Sequence, residues 1–126
     1  MPTTTLLTGI DLVDVPRFAR VLERRGEKLR ERLFTPFERR LPRVESLAAR
    51  FAAKEAVLKL LGTGLASGMR WHDVEIVAGS RGEPRVVLRG GAAERARTLG
   101  VSDIAISLTH TAAVAAASAS AFSVRD

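Results

Sequence analysis

The segment 46–64 reads SLAARFAAKEAVLKLLGTG, and it predicts the helix around which the rest of the chain is organised. Apolar residues recur at helical spacing on two opposite sides of this segment: Leu47, Phe51 and Leu58 on one, and Ala53, Val57 and Leu60 on the other. Glu55 falls in the middle of the first side. A carboxylate in such a setting is costly unless a cation, a metal ion or several hydrogen-bond donors meet it.

The residues near Glu55 favour an anionic ligand. Arg50, Lys54 and Lys59 lie within one or two helical turns of it, and the helix ends at the glycine segment 62–64, where the backbone can approach a ligand closely. This combination suits a phosphate group. The alternative is purely structural: Glu55 pairs with Lys59 at i,i+4, the first glycine is a helix cap, and the other two cations reach solvent.

Length and composition predict one folded domain over residues 1–126. The chain has 46% hydrophobic and 27% charged residues, which is ordinary for a folded protein. It is long enough for a single core but small for an enzyme that encloses a sizeable ligand, so oligomerisation would help it.

Several features predict a soluble, cytoplasmic protein without a membrane segment. The sequence has no cysteine, which excludes disulfides and thiolate chemistry and fits a reducing compartment. Residues 1–14 lack the pattern of a signal peptide, since Asp11 interrupts their apolar run. The longest apolar run elsewhere, 112–117, is far shorter than the roughly 20 residues of a membrane span.

The positive charge is concentrated in one segment. The net charge is +6, and residues 17–43 carry the whole excess. A one-sided field of this kind indicates an acidic partner. One candidate is nucleic acid, which would make the protein a basic binding module without catalytic activity.

The N-terminal half is expected to contain a strand followed by helices. Residues 5–13 alternate with both faces apolar, which predicts a central strand with Asp11 pointing into a covered region. Asp14 precedes Pro16 as a helix cap would, and an amphipathic helix runs to about Leu33, weakened at Gly26. The arginines on its outer side are either a solvated face or a docking surface.

Further local signals complete the α+β pattern. Thr35 to Glu38 forms a capping box for a short helix ending by Pro42, and Ser46 is the predicted cap of the helix that follows. After a loop over 62–70, the remaining elements are a hairpin of strands 74–78 and 84–89, a helix over 92–99, a strand over 103–110 and an alanine-rich last strand. Ser107 and Thr109 fall on the strand face opposite Ile106, and His110 closes the strand.

Taken together, four segments resemble the holo-acyl-carrier-protein synthases, the small class of 4′-phosphopantetheinyl transferases. The segments are 9–13 (GIDLV), 50–56 (RFAAKEA), 62–64 (GTG) and 107–111 (SLTHT). The resemblance covers the chain in order, and the helix motif with its lysine and glutamate is the most specific part. It implies the compact α+β fold of these transferases, with a small antiparallel sheet packed against helices.

The resemblance also implies an activity and its partners. The enzyme would transfer the phosphopantetheine arm of coenzyme A to a serine of an acyl carrier protein, with Mg²⁺, releasing adenosine 3′,5′-bisphosphate. The relatives it resembles are homotrimers with each site at a subunit boundary. Whether the carrier serves fatty-acid or polyketide synthesis stays open, and no nucleic-acid partner is expected on this interpretation.

Matching motif positions assign the site residues. Asp11 and Glu55 would hold the magnesium, and Arg17, Arg20 and Arg24 would dock the acidic carrier. The coenzyme would be surrounded by Arg50, Lys54, Lys59, Gly62, Gly64, Ser107, His110 and Thr111. Lys54 or Lys59 would neutralise charge on the leaving phosphate, and Glu55 would be the proton acceptor, with Asp11 left as an alternative.

Overall fold

The computed structural model describes residues 1–65 and 68–126. Residues 66 and 67 of the predicted loop lie outside this part of the chain. The helices and strands are, in chain order, β1 (Thr3–Asp14), α1 (Val15–Arg25), α2 (Glu27–Leu33), α3 (Val44–Leu61), β2 (Val74–Ala78), β3 (Pro84–Leu88), α4 (Gly90–Leu99), β4 (Ala105–His110) and β5 (Val114–Arg125). Single 3₁₀ turns lie at Glu38–Arg40 and Trp71–Asp73.

The predicted central helix is confirmed as α3, which contacts β1, β4 and β5 on one side and β2 on another. Most of its apolar residues are buried, and many of these are alanines, so neighbouring elements approach its axis closely. Gly62 ends it in the left-handed conformation, with φ of 81°. The helix begins at Val44 rather than after Ser46, so the capping role predicted for Ser46 is wrong; Arg43 is the N-cap residue.

The main sheet is antiparallel with the order β1-β5-β4. The register pairs Asp11 with Ala117 and Ala117 with Leu108, so these three residues share one face. Alternate alanines of β5 make this the face that packs on α3. At Gly9 the strand almost touches the helix, because a β-carbon built there would lie 1.9 Å from the Ala56 carbonyl oxygen.

The predicted central position of β1 is wrong, because β1 is an edge strand. Its second apolar face is not covered by this chain: Leu6, Ile10 and Leu12 are exposed, as are Phe122 and Val124 on β5. Since β1 pairs with β5 along its whole length, these side chains form one apolar outer face of the sheet. The predicted alternation of β1 is therefore confirmed, whereas its predicted central position is not.

The helix signals before α3 are confirmed in part. The Asp14 carboxylate accepts a hydrogen bond from the Arg17 amide at 2.9 Å, and Gly26, with φ of 73°, separates α1 from α2. The capping box also forms, since the Thr35 amide donates to Glu38 and the Glu38 amide donates to the Thr35 hydroxyl. It starts a single 3₁₀ turn rather than a helix, because the chain becomes extended at Leu41, ahead of Pro42.

The second half follows the predicted order. Strands β2 and β3 pair as a hairpin, α4 follows it, and β4 and β5 close the main sheet. The α+β class predicted from the sequence is confirmed, with two small antiparallel sheets packed against helices. In the residues that the structure describes, no helix is long and apolar enough to cross a membrane.

Candidate active site

A cavity of about 420 Å³ lies where β1, α1 and α3 meet. Asp11 from β1, Glu55 and Phe51 from α3, and Arg17 from α1 all line it. Asp11 reaches the cavity because it lies on the sheet face that packs on α3. Two carboxylates 44 positions apart in the sequence are thus brought to one opening.

Lys59 is bound to Asp11, not to Glu55. Its ammonium Nζ donates to Asp11 Oδ1 at 2.9 Å and to the Ile10 carbonyl oxygen at 3.0 Å. The hydrogen bond from Lys59 to Asp11, together with the charge of Asp11, raises the pKa of Lys59. Within the described residues no Lys59 to Glu55 ion pair forms inside 4.0 Å, so the structural i,i+4 alternative is not the arrangement seen.

Glu55 is half-buried at the cavity wall. Burial raises the pKa of its carboxyl group, the charge of Asp11 raises it further, and Lys59 opposes both. Two carboxylates that disfavour each other's charge in this way are stabilised by a cation placed between them. The position of the Lys59 ammonium on Asp11 shows that one end of this pair accepts a cation.

The donor set fits magnesium. In the part of the chain that the structure describes, no group of three or more histidine, cysteine, aspartate or glutamate side chains is placed to hold a metal. Magnesium commonly takes only one or two protein carboxylates and completes its octahedron with water and substrate phosphate. Asp11 and Glu55 together supply that number of carboxylates.

Arg50 has an unused hydrogen-bond donor. Its side chain is half-buried one turn before Lys54, and among the described residues its Nε is the one buried side-chain nitrogen or oxygen atom without a partner. Burial lowers the pKa of Arg50, and the charge of Glu38 opposes this. A buried guanidinium with an unpaired N–H is suited to an anionic oxygen, which would satisfy the donor.

Lys54 does not reach the cavity, and this differs from the role expected for it. Its side chain is fully buried, and its Nζ contacts Glu38 Oε1 at 2.8 Å and the carbonyl oxygens of Trp71 and Val74. The reason is helical geometry: consecutive residues point about 100° apart, so Lys54 faces the hairpin side while Glu55 faces β1. Lys54 is not among the residues that line the cavity.

The glycine segment lies at the end of α3. Gly62 and Gly64 both have positive φ, and among the described residues, chain neighbours aside, no atom lies within 4 Å of the position of a β-carbon at Gly64. Arg95 of α4 lies beside this segment, with its Nε donating to the Leu61 carbonyl oxygen at 2.9 Å. Arg95 is not among the residues predicted from the sequence, since nothing local to α4 signals that Arg95 packs on the end of α3.

The serine expected from β4 is separated from Asp11. Ser107 pairs with Ser118 on the outer face of the sheet, whereas Asp11 lies on the face toward α3. His110 and Thr111 are exposed at the end of the strand. The Thr111 hydroxyl accepts from the amides of Ala113 and Val114 and so stabilises the turn. A single chain therefore does not bring Ser107 to the Asp11 and Glu55 cavity.

The three docking arginines are exposed on α1. Arg17 lines the cavity itself, and Arg20 and Arg24 line an adjoining depression together with Glu23. All three lie on one helix beside the cavity of the two carboxylates, and docking of an acidic carrier on them stays a prediction.

Comparison with known proteins assigns the family. Residues 8–117 match the family described as the 4′-phosphopantetheinyl transferase superfamily. The holo-[acyl-carrier-protein] synthase of Solibacter usitatus is 47% identical over 112 residues, covering 85% of this chain and 90% of the relative. The structure of the apo enzyme from Chronobacterium ammoniagenes superposes with a TM-score of 0.83 at 30% identity, covering 98% of this chain and 100% of that one.

A third similar protein was solved with its ligand. The holo-[acyl-carrier-protein] synthase of Helicobacter pylori in complex with coenzyme A has a TM-score of 0.80 at 28% identity and covers 90% of this chain and 97% of that one. Similarity in sequence and in structure thus extends over nearly the full length, and it agrees with the segments that carried the resemblance. The chain belongs to the 4′-phosphopantetheinyl transferase superfamily and, within it, to the holo-[acyl-carrier-protein] synthases.

Proposed function

We propose that this enzyme transfers the 4′-phosphopantetheine group of coenzyme A to a serine hydroxyl of an apo-acyl carrier protein in a magnesium-dependent reaction, with adenosine 3′,5′-bisphosphate as the second product. The single observation that carries the proposal is the convergence of Asp11 and Glu55 on one cavity, with Lys59 bonded to Asp11. Two carboxylates that can hold a metal ion and one lysine ammonium therefore lie close together. A bound diphosphate requires positive charges of both kinds.

Asp11 and Glu55 are the residues that would hold the magnesium ion. When bound, the ion supplies charge neutralisation at the diphosphate of coenzyme A and orients it for displacement. Lys59 adds a second positive charge at the same place, and its bond to Asp11 keeps that charge at the carboxylate pair. Lys54 is not one of the residues that bind the diphosphate, because its three N–H donors already bond to groups inside the protein.

Glu55 accepts the proton of the attacking serine hydroxyl. Glu55 faces the cavity that Arg17 of α1 also lines, so a serine presented by a carrier on α1 meets this carboxylate within reach of its hydroxyl proton. The serine oxygen then attacks the β-phosphorus of coenzyme A, the phosphoanhydride bond breaks, and the nucleotide leaves with its phosphate.

The coenzyme is contacted by two groups of residues that one chain keeps apart. Arg50, Lys59, Gly62 and Gly64 belong to α3 and its C-terminal end, whereas Ser107, His110 and Thr111 belong to β4 and the turn after it. The unpaired Nε of Arg50 and the open backbone at Gly64 support the first group. Arg95 joins it as an additional cation beside Gly62.

A homotrimer brings the second group to the first. The apolar outer face of the sheet, with Leu6, Ile10, Leu12 and Phe122 all more than half exposed, has the character of a surface that a second subunit buries. Ser107 lies on that same face, so a neighbouring copy would present it to the cavity from outside. Sites at subunit boundaries are therefore part of the proposal.

The acidic carrier docks on α1 through Arg17, Arg20 and Arg24. These side chains are exposed on one helix, and Arg17 also lines the cavity, so a carrier bound there delivers its serine close to Glu55. Membership in this enzyme family favours a protein partner over the nucleic-acid alternative. A cytoplasmic location and a role in fatty-acid synthesis stay predictions.

The test is transfer followed by mass spectrometry. The protein is incubated with coenzyme A, Mg²⁺ and an apo-acyl carrier protein, and the carrier is weighed. We expect the carrier to gain the mass of phosphopantetheine, and we expect no gain when a chelator is present. In Glu55→Gln the rate of transfer should fall by at least about 100-fold. No increment with any divalent metal would reject the transferase, and full activity of Glu55→Gln would reject the assigned site.

A further inference from the structure

The buried pair of Glu38 and Lys54 is not used by the reaction as proposed. Both side chains have no exposed surface, and Lys54 Nζ lies 2.8 Å from Glu38 Oε1. Burial lowers the pKa of Lys54, and the charge of Glu38 opposes this. A buried ion pair is a poor source of stability, because the cost of removing two charges from water often exceeds their attraction. The pair therefore requires an explanation other than stability.

Every donor of Lys54 is directed at a different structural element. Besides Glu38, its ammonium donates to the Val74 carbonyl oxygen at 2.5 Å and to the Trp71 carbonyl oxygen at 3.1 Å. An ammonium has three donors, so all of them are used. Lys54 thereby fixes the middle of α3 to the start of β2 and to the 3₁₀ turn before it.

The Glu38 carboxylate is likewise held by hydrogen bonds to several segments. Its Oε1 accepts from the Thr35 amide at 2.9 Å as well as from Lys54, and its Oε2 accepts from the Ile76 amide at 2.8 Å. The cluster continues through the Thr35 hydroxyl, which donates to Glu75 Oε2, and through Arg89, which donates to Glu75 Oε1. The turn at Glu38–Arg40, the turn at Trp71–Asp73 and strand β2 are thus all bonded to Lys54 of α3, and Glu38 is also bonded to β2. These bonds fix the rotation of α3 about its own axis.

The fixed rotation of α3 affects the residues of the cavity in two ways. Lys54 is next to Glu55 in α3 and one turn from Arg50, so the direction in which Lys54 is held sets the directions of both neighbours. Trp71, whose carbonyl oxygen Lys54 binds, packs its ring on Phe51 at 5.1 Å between centroids, and Phe51 lines the cavity.

We infer that Glu38 and Lys54 are positioning residues of the transferase: they touch neither substrate, and they set the rotation of α3 that aims Arg50 and Glu55 and the position of the Phe51 wall. The inference rests on the proposed function in so far as Arg50 and Glu55 bind coenzyme and metal. It requires that disturbing the pair weakens coenzyme and metal binding while leaving carrier binding on α1 unchanged.

The experiment compares Glu38→Gln with the double variant Glu38→Gln/Lys54→Met. The double variant removes both charges, so no uncompensated charge remains buried, but it also removes the donors to Val74 and Trp71. Leu99→Ala, in the core at α4, is the control for lost stability. For each protein we measure the melting temperature, the KM for coenzyme A and for the carrier, and Mn²⁺ and coenzyme A binding by calorimetry.

We expect both pair variants to fold, with a KM for coenzyme A raised about tenfold, weaker Mn²⁺ binding and an unchanged KM for the carrier. A purely structural role predicts otherwise, because a smaller folded fraction lowers the rate and leaves both KM values intact, as in Leu99→Ala. Wild-type coenzyme and Mn²⁺ affinity in Glu38→Gln, or in a folded double variant, would overturn the inference.

The proposed function is tested separately in the same series. If the wild type transfers nothing and binds no coenzyme A, the proposed function fails irrespective of the pair. If the wild type is active and Glu55→Gln is not, the proposed function stands, and the pair variants alone decide whether Glu38 and Lys54 position the site.

Discussion

At the scale of single residues, close packing decides which positions tolerate change. Gly9 shows this most directly, because β1 crosses α3 there with almost no space between the two backbones. The neighbouring alanines of α3, such as Ala52 and Ala56, are fully buried for the same reason. Small residues at this crossing let Asp11, two positions further along β1, approach Glu55 and Lys59.

We predict that Gly9→Ala strongly destabilises the protein. The new β-carbon would lie 1.9 Å from the Ala56 carbonyl oxygen, so the strand or the helix must shift, which costs about 3 kcal/mol or more. The measurement is chemical or thermal unfolding. Gly91→Ala is the matched control, since its new β-carbon in α4 would lie no closer than 3.4 Å to the described residues packed on it and should be neutral or slightly stabilising. Equal stability of the two variants would contradict the packing argument.

Glu75 gives a pH-dependent prediction. Burial alone would raise the pKa of Glu75, but hydrogen bonds from Thr35 and Arg89 and the charges of Arg89 and Lys54 outweigh it, and the net pKa is lowered from 4.5. A carboxyl group whose pKa is lower in the folded state stabilises the protein above the unfolded pKa, and this contribution is lost as the pH falls through the folded pKa.

The melting temperature of Glu75→Gln should therefore lie below that of the wild type at neutral pH, and the difference should shrink as the pH falls below 4.5 and through the lowered folded-state pKa of Glu75. Thermal unfolding across this range checks it. Glu94→Gln is the control, because Glu94 is exposed and a surface ion pair contributes little. A difference that is constant with pH would show that the lost contacts, not the charge, matter.

At the scale of elements, α1 combines two tasks. Its inner side carries Phe18 and Leu22 into the core, and its outer side presents arginines beside the cavity. The Asp14 cap and the break at Gly26 limit the helix to Val15–Arg25, so the arginine face has a defined length and direction. An exposed charged face of this kind affects association more than folding.

Charge reversal at Arg20 and Arg24, which do not line the cavity of Asp11 and Glu55, should therefore raise the KM for the acyl carrier protein by about tenfold or more, and should leave coenzyme A binding within about twofold. Steady-state kinetics and calorimetry measure the two. The double variant Lys28→Glu/Arg32→Glu on α2 changes the net charge equally and serves as the control. Equal loss of carrier and coenzyme binding would contradict the docking assignment.

At the scale of the whole molecule, the proposed metal ligands and the proposed coenzyme contact Ser107 lie on opposite sides of the main sheet. Asp11 and Glu55 lie on the α3 side, and Ser107 lies on the outer side with the exposed apolar residues of β1 and β5. A closed ring of identical subunits would join the metal ligands of one copy to the Ser107 side of the next.

Mixing two inactive variants tests this arrangement. Glu55→Gln and Ser107→Asp should each be inactive as separate trimers, the second because a carboxylate would face the coenzyme phosphates. After mixed refolding at equal amounts, about a quarter of the sites should contain two intact halves, and activity should recover to about that fraction. Ultracentrifugation checks that all species are trimers. No recovery in mixed trimers would mean that each site is formed within one chain.

Local sequence patterns determined much of the fold. The periodicity of 46–64 predicted α3, the glycines predicted its end and the break after α1, and alternation predicted the hairpin and the faces of β4. These features depend on residues near each other in the chain, whose preferences act before any long-range contact forms. The motif segments added the family, since they occur together and in order.

The tertiary structure decided what local patterns do not encode. Helical geometry fixes that Lys54 and Glu55 point about 100° apart, but only packing shows that Glu55 faces β1 and Lys54 faces Glu38. The edge position of β1 and the separation of Ser107 from Asp11 follow from the strand order β1-β5-β4. Strand order is set by hydrogen bonds between distant segments, and for that reason the sequence could propose the site residues but not divide them between two faces.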